Sequence, residues 1–230
     1  MKQLFLVATP IGNLSDITFR GVETLKDVDF IIAEDTRHTG ILLKKYEITT
    51  PMKSFHAQSS PAKAKTLIDE INTGKSAAYV SDAGTPCISD PGYTLVKLAA
   101  ESGITVTPIP GASALTALIS VAGIPVHEFH FHGFLPHKKG RQTILKSLEN
   151  ADITHLFYES VHRFEKLLGE LKEYLGDERV IVVGRELTKM YEEIFRGTVQ
   201  QATEHFESNP VKGEFVIAVA PHNFKIEVSD

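Results

Sequence analysis

Tyr79-Val80-Ser81-Asp82-Ala83-Gly84-Thr85-Pro86-Cys87-Ile88-Ser89-Asp90-Pro91-Gly92 joins a short apolar run, Ser76 to Val80, to a helical pattern from Tyr93 to Ala100. The apolar run predicts a buried strand. Gly84 and Gly92 permit positive φ and close approach of a ligand, while Pro86 and Pro91 stiffen the loop. Strand-to-helix links usually take about two to six residues, and this one is longer. A rigid loop of small residues at the carboxyl end of a strand is where open α/β sheets hold ligands. The competing reading is an ordinary connection.

The same grammar repeats on both sides of this loop. Leu4 to Ala8 predicts a strand running into Thr9-Pro10-Ile11-Gly12-Asn13, followed by a helix over Asp16 to Lys26. Phe30 to Ala33 is a further strand ending in Glu34-Asp35-Thr36-Arg37-His38-Thr39, with a helix over Ile41 to Tyr46 and a short strand over Met52 to Phe55. Ser60 caps a helix over Pro61 to Asn72, with Pro61 in its first position. Ile104 to Ile109 runs into Pro110-Gly111-Ala112-Ser113-Ala114 and a helix to Val121. This succession predicts an α/β fold, a mostly parallel sheet with helices on both faces. Gly123-Ile124-Pro125 breaks the pattern, so we expect an N-terminal domain over 1–122, a C-terminal α/β domain over 123–221 and a frayed tail over 222–230. The C-terminal half mixes long and short connections, which predicts a mixed sheet.

At 230 residues and 42% hydrophobic the chain can bury a substantial core. A net charge of -5 announces no global basic field for a nucleic acid, and the one cysteine, Cys87, excludes an internal disulfide or thiolate zinc cluster. Pro10 and Gly12 interrupt the first apolar run, so we read a strand there and not a signal peptide. No apolar stretch reaches membrane-spanning length, and we expect a soluble, cytoplasmic protein without a membrane partner.

Dinucleotide, P-loop and nucleophile-elbow fingerprints are all missing. His127, His130 and His132 invite a metal reading, and alternation puts His130 and His132 on one strand face. The run has no carboxylate or thiolate at matching spacing, so no metal is assigned. Asp27-Val28-Asp29 precedes a strand and reads as solvated acids.

The loops matter most as an ordered set. Ala8-Thr9-Pro10-Ile11-Gly12-Asn13-Leu14, Glu34-Asp35-Thr36-Arg37, Ser81 to Gly92, Ile109 to Ser113, Gly133-Phe134-Leu135-Pro136, Tyr158-Glu159-Ser160-Val161-His162-Arg163 and Lys212-Gly213-Glu214-Phe215 follow one another over nearly the whole chain. In this set the sequence resembles the tetrapyrrole methylase superfamily, the class III methyltransferases, and within it the branch acting on a cytidine ribose 2′-oxygen of 16S ribosomal RNA. The resemblance implies S-adenosyl-L-methionine as cofactor, bound in the cleft between two α/β domains. It implies cofactor contacts at Pro10, Gly12, Asp82, Ala83, Gly84, Thr85, Ile88, Ser113 and Ala114, with Phe157, Tyr158 and Leu187 from the second domain. Core packing is the plain alternative for Phe157 and Leu187. The porphyrinoid branch commonly has Gly-Asp-Pro where this chain has Gly84-Thr85-Pro86, which argues for an RNA acceptor. The implied partners are 16S rRNA or the small ribosomal subunit, acting near the decoding region, and a second copy of the chain in a homodimer.

Methyl transfer from a sulfonium needs no metal or covalent intermediate. It needs an oriented acceptor, worth about 7–11 kcal/mol in favourable cases, and a base worth about 10²–10⁴-fold. Candidate bases are Glu34, Asp35, Glu159 and His162, with the choice open; helix capping is the alternative for Glu159 and a surface position for His162. Arg37 and Arg163 are candidate phosphate or ribose clamps, because guanidinium matches phosphate geometry; either could instead pair with Glu34 or Glu159. Phe129 to Leu148 contains no acid and carries Lys138, Lys139, Arg141 and Lys146, candidates for RNA phosphate contact. The rival hypotheses are a methyltransferase for a porphyrinoid or protein side chain, and a non-catalytic S-adenosylmethionine or ribosome binder.

Overall fold

Phe30–Ala33 and Ser76–Val80 are buried strands apolar on both faces, because helices cover both. The computed structural model describes residues 2–208 and 212–226. The chain divides into two compact units, Met1–Ser113 and Ala114–Asp230. The first holds β1 (Gln3–Val7), β2 (Phe30–Ala33), β3 (Met52–Ser54), β4 (Ser76–Val80) and β5 (Thr105–Ile109). They form one parallel sheet in the order β3-β2-β4-β1-β5. Its helices are α1 (Phe19–Asp27), α2 (Thr36–Lys45), α3 (Pro61–Asn72) and α4 (Tyr93–Glu101).

Alternation along the strands sorts the core into two layers. Phe30, Ile32, Ala77 and Tyr79 pack with Leu67, Ile71, Leu95 and Ala99 of α3 and α4. Ile31, Ala33, Ala78 and Val80 pack with Leu25, Leu42 and Leu43 of α1 and α2. Two helix starts differ from expectation. Leu14–Asp16 is a 3-10 turn, and α1 begins after Thr18, whose hydroxyl accepts from the Gly21 N–H. The start of α2 lies well before Ile41, because the Asp35 carboxylate accepts from the Arg37 N–H and caps the helix.

The second unit holds α5 (Ala114–Val121), β6 (Phe129–Phe134), α6 (Arg141–Ser147), β7 (Thr154–Ser160), α7 (Val161–Leu175), β8 (Val180–Arg185), β9 (Glu193–Thr198), α8 (Val199–Glu207) and β10 (Glu214–Val219). Its sheet runs β6-β7-β10-β8-β9; β6 and β7 are parallel and the other pairs antiparallel, the mixed sheet expected. Phe164, Leu167, Leu168 and Leu171 recur at helical spacing on α7 and face Phe157, Ile181, Val183, Phe215 and Ile217. Phe164 stacks on Phe215 with ring centroids 4.0 Å apart. Thr198 and Gln201 form a reciprocal capping box at the start of α8.

The break at Gly123 is not where the units part. Leu118 is fully buried, and a Cβ on Gly184 of β8 would lie 2.9 Å from its Cδ1, so α5 packs with the second sheet. In the expected tail, the His222 N–H donates to Ala151 O at 2.8 Å and the Phe224 N–H to Pro221 O; residues 227–230 lie outside the described residues. Among the described residues, no helix is long and apolar enough to cross a membrane.

Candidate functional site

In the first sheet β1 leads to β2 on one side while β4 leads to β5 on the other, so chain direction reverses between the neighbours β4 and β1. Ligands of open α/β sheets sit outside the carboxyl ends of strands at such a reversal. The loops leaving β1, β4 and β5 meet there and lock together. Thr9 and Gly84 exchange backbone hydrogen bonds of 2.9 and 3.0 Å, and the Thr9 hydroxyl donates to Ser81 O at 3.4 Å. The Ala8 N–H donates to Ile109 O, and the Thr85 hydroxyl to Ala112 O at 3.1 Å. Thr9, Pro10, Leu14, His38, Thr39, Ile41, Leu42, Ser81 and Asp82 line a hollow beside them.

The loop after β4 is held in strained backbone. Cys87 and Ser89, neither of them glycine, sit at φ 71° and 64°, and Gly92 at 136°. Such conformations cost about 1–3 kcal/mol each and persist only where the surroundings over-determine them. Here the anchor is Tyr79, fully buried, whose hydroxyl donates to Pro91 O at 2.7 Å. Within the loop, Asp82 and Ala83 are exposed, as is Ile88, while Gly84 is buried and Thr85 half-buried. In the β1 loop Pro10 is buried and Gly12 exposed. Ser113 closes the first unit and Ala114 opens α5, both half-buried.

Three carboxylates gather at this edge. Burial pushes the Asp90 carboxyl up to about 6, with Asp82 adding to the rise and a Ser81 hydrogen bond opposing it. Burial also raises Glu34, and Asp82 and Asp90 push the same way. Asp35 behaves oppositely: hydrogen bonds from the Arg37 side chain and backbone hold it below the usual carboxylate range. Asp35 therefore serves Arg37 and the helix cap, and its own N–H donates to Asp82 Oδ1 at 3.0 Å. Arg37 pairs with Asp35 rather than Glu34. Burial raises the Cys87 thiol, so this lone cysteine is no activated nucleophile.

The second unit rearranges several expectations. Glu159 is the penultimate residue of β7, with a side chain 0% exposed; its Oε1 accepts from the Ser160 N–H at 2.8 Å and lies 2.6 Å from Arg163 Nη2. Its Oε2 is 3.7 Å from Arg141 Nη1. Arg141, expected at the surface for RNA contact, is buried and forked onto Glu170 with contacts of 2.6 to 3.0 Å. Arg163 and Arg141 donate to Leu135 O and Pro136 O, so the ion-pair network pins the Gly133 to Pro136 turn. A group so enclosed meets counter-charges before it meets a ligand. His162, by contrast, is exposed in the first turn of α7, and Lys138, Lys139 and Lys146 are exposed.

Phe157, expected at the cofactor, is 0% exposed in the helix-covered core and stacks on His132 at 4.9 Å, because alternation points it away from the face of Leu156 and Tyr158. Tyr158 is half-buried, its ring edge-on to Phe131 and Phe134. Leu187 is buried beside Gly184. The Lys212 to Glu214 segment has its own lock: the Glu214 N–H donates to Glu186, and a Cβ on Gly213 would lie 2.3 Å from Glu186 Cγ.

His155 was missed in the sequence. It pairs with His130 across β6 and β7, and with His132 brings three imidazoles together. Burial, with its charged neighbours, pushes His132 and His155 down to about 4, so both rings are neutral at pH 7.

Residues 3–203 match the family described as Tetrapyrrole (Corrin/Porphyrin) Methylases. The chain is 49% identical over 221 residues to the ribosomal RNA small subunit methyltransferase I of Synechocystis, covering 96% of this chain and 79% of that one. It is 45% identical over 220 residues to the protein of the same name from Thermotoga maritima, covering 96% and 99%. Among solved structures, the uroporphyrin-III C-methyltransferase of Thermus thermophilus, complexed with S-adenosyl homocysteine, matches with a TM-score of 0.65 at 14% identity over 96% of this chain and 98% of that one. The chain belongs to the tetrapyrrole methylase family, in its ribosomal RNA small subunit methyltransferase I branch.

Proposed function

We propose that this protein is an S-adenosylmethionine-dependent methyltransferase that modifies the ribose 2′-oxygen of a cytidine in the decoding region of 16S rRNA. The observation that carries the reading is the strained, interlocked loop edge of the first unit in a chain whose relatives are ribosomal RNA methyltransferases. The residues fit the cofactor chemically: its sulfonium and ammonium are cationic, and the edge offers Glu34, Asp82 and Asp90. Pro10, Gly12, Asp82, Ala83, Gly84, Thr85, Ile88 and Ser113 would hold it, with loop backbone groups fixed in advance. When bound, S-adenosylmethionine supplies an electrophilic methyl group.

The chain's own work is to orient the acceptor hydroxyl, exclude water and take a proton. We assign the proton acceptor to Glu34. Its carboxyl is half-buried and raised by burial and by Asp82 and Asp90, which makes it a stronger base than an exposed carboxylate, whereas Asp35 and Glu159 are committed to arginines. Lys138, Lys139 and Lys146 supply phosphate contacts. The active species is a homodimer in the cytoplasm, which light scattering and cell fractionation test. For the activity itself, labelled S-adenosylmethionine is incubated with the protein and small subunits lacking the modification. Transfer to rRNA supports the reading; binding of the cofactor with no transfer to subunits or free rRNA points to another acceptor or a sensor.

A further inference from the structure

We propose that His130, His132 and His155 form a binding site for one divalent transition-metal ion, of which zinc is the natural probe, clamping the edge strand β6 to β7. Each histidine offers one ring nitrogen, and these three atoms lie within 4.8 Å of one another. His132 Nε2 and His155 Nδ1 are already 2.8 Å apart. Zinc binds imidazole nitrogen at about 2.0–2.1 Å, and tetrahedral directions then set ligand nitrogens about 3.3 Å apart.

The backbone explains why the rings meet. Alternation puts His130 and His132 on one face of β6, and the parallel register sets His155 of β7 opposite His130. The rings form a graded stack: His130 and His132 have centroids 4.0 Å apart, and His132 lies over Phe157. Burial grades likewise, with His155 buried, His132 half-buried and His130 exposed, so the site has a dry floor and an open mouth for a fourth ligand such as water. Three imidazoles with an open position are a ligand set that zinc, nickel and copper accept, whereas magnesium and calcium prefer oxygen. Glu159, in the arginine network, is not part of this cluster.

Such a site has a structural consequence. The β6–β7 ladder shifts register between Phe131 and Phe134, just where β6 leads into the Gly133 to Lys139 segment. An ion held by His130 and His132 of β6 and by His155 of β7 would fasten the two strands where the register begins to shift, and leave the turn beyond it to the arginine network.

The test is zinc binding by the tag-free, chelator-stripped protein, followed by calorimetry and by metal content after gel filtration. Cobalt serves as a spectroscopic substitute that reports tetrahedral coordination. Wild type is expected to retain one zinc per chain and to melt at a higher temperature with zinc present. His130→Asn, at an exposed position, and His132→Gln should each weaken binding by more than the roughly 10–100-fold that loss of an outer-shell partner costs, and abolish the zinc-dependent rise in melting temperature. Cys87→Ser and His56→Asn, altered in the first unit, should bind zinc like wild type. The proposal is overturned if wild type retains no zinc with the metal in excess, or if His130→Asn and His132→Gln bind it as tightly as wild type.

Discussion

Replacing Gly92 by alanine tests the physical core of the site, the forced geometry of the loop after β4. Gly92 sits at φ +136°, where L side chains are strained, and an added Cβ would lie 2.6 Å from Tyr79 Cε1 and 2.7 Å from Cys87 Sγ. Neither neighbour can yield easily. Tyr79 is fully buried between β4 and α3–α4, its hydroxyl bound to Pro91 O, and Cys87 is itself in left-handed backbone. Backbone strain costs about 1–3 kcal/mol and overpacking about 1–3 more, so Gly92→Ala should lose about 2–6 kcal/mol. Gly74→Ala is the matched control: φ is +108° but no atom lies within 4 Å of the new Cβ, so it carries only the backbone part. Urea denaturation measures both, with amide exchange of β4 isolating the first unit because a two-unit chain need not unfold in one step. Cofactor affinity should fall in Gly92→Ala and stay near wild type in Gly74→Ala. Equal destabilisation in the two variants would refute the argument that the collision with Tyr79 and Cys87 shapes this loop.

Glu159→Gln should destabilise the protein by about 3 kcal/mol, because it leaves the Arg163 and Arg141 guanidiniums short of a buried counter-charge; a loss under about 1 kcal/mol in urea would mean the network is dispensable. Asp90 has a carboxyl raised from 3.8 to about 6, so the folded state holds its proton more tightly than the unfolded chain does. Its contribution to stability is therefore full below pH 3.8 and falls as pH rises through about 6, and Asp90→Asn should remove that slope from a series of denaturation curves. Lys138→Glu combined with Lys139→Glu should weaken RNA binding and flatten its dependence on salt, by about two phosphate contacts, without altering cofactor affinity. An unchanged salt slope in a filter-binding titration would place RNA contact elsewhere.

Much of the architecture was legible because it is written in local pattern. The unbroken apolar runs of Phe30 to Ala33 and Ser76 to Val80 predict buried strands, and Ser60-Pro61 announces α3 with its bounds intact. Caps decided the misplaced starts. Thr18 caps α1 and so starts it later than the Asp16 expected, and Asp35 reads as a loop acid until its carboxylate is seen to hold the Arg37 N–H. The convergence of the Thr9, Gly84 and Ala112 loops follows from their shared place after parallel strands. What failed was non-local. Arg141 lies in an acid-free stretch and looks like a surface cation, but its partner Glu170 comes from α7. The histidine trio needs the register of β6 on β7, which no spacing within the Phe129 to Phe134 run reveals. Phe157 was recoverable: it alternates with Leu156 and Tyr158, and Phe164, Leu167, Leu168 and Leu171 supply the apolar stripe that covers its face. The parting of the units at Ser113 is hidden because the Pro110 to Ala114 turn looks like every other strand exit, and only the packing of Leu118 against Gly184 assigns α5 to the second unit.

The proposed activity is methyl transfer to one ribose. The direct measurement incubates the protein with S-adenosylmethionine carrying a labelled methyl group and small subunits from cells lacking the enzyme, then maps the label by nuclease digestion and mass spectrometry. Label is expected on the 2′-oxygen of a single cytidine in the decoding region, with Glu34→Gln retaining cofactor binding and losing transfer. Label on a base, on a ribosomal protein or on a porphyrinoid in place of that ribose would contradict it.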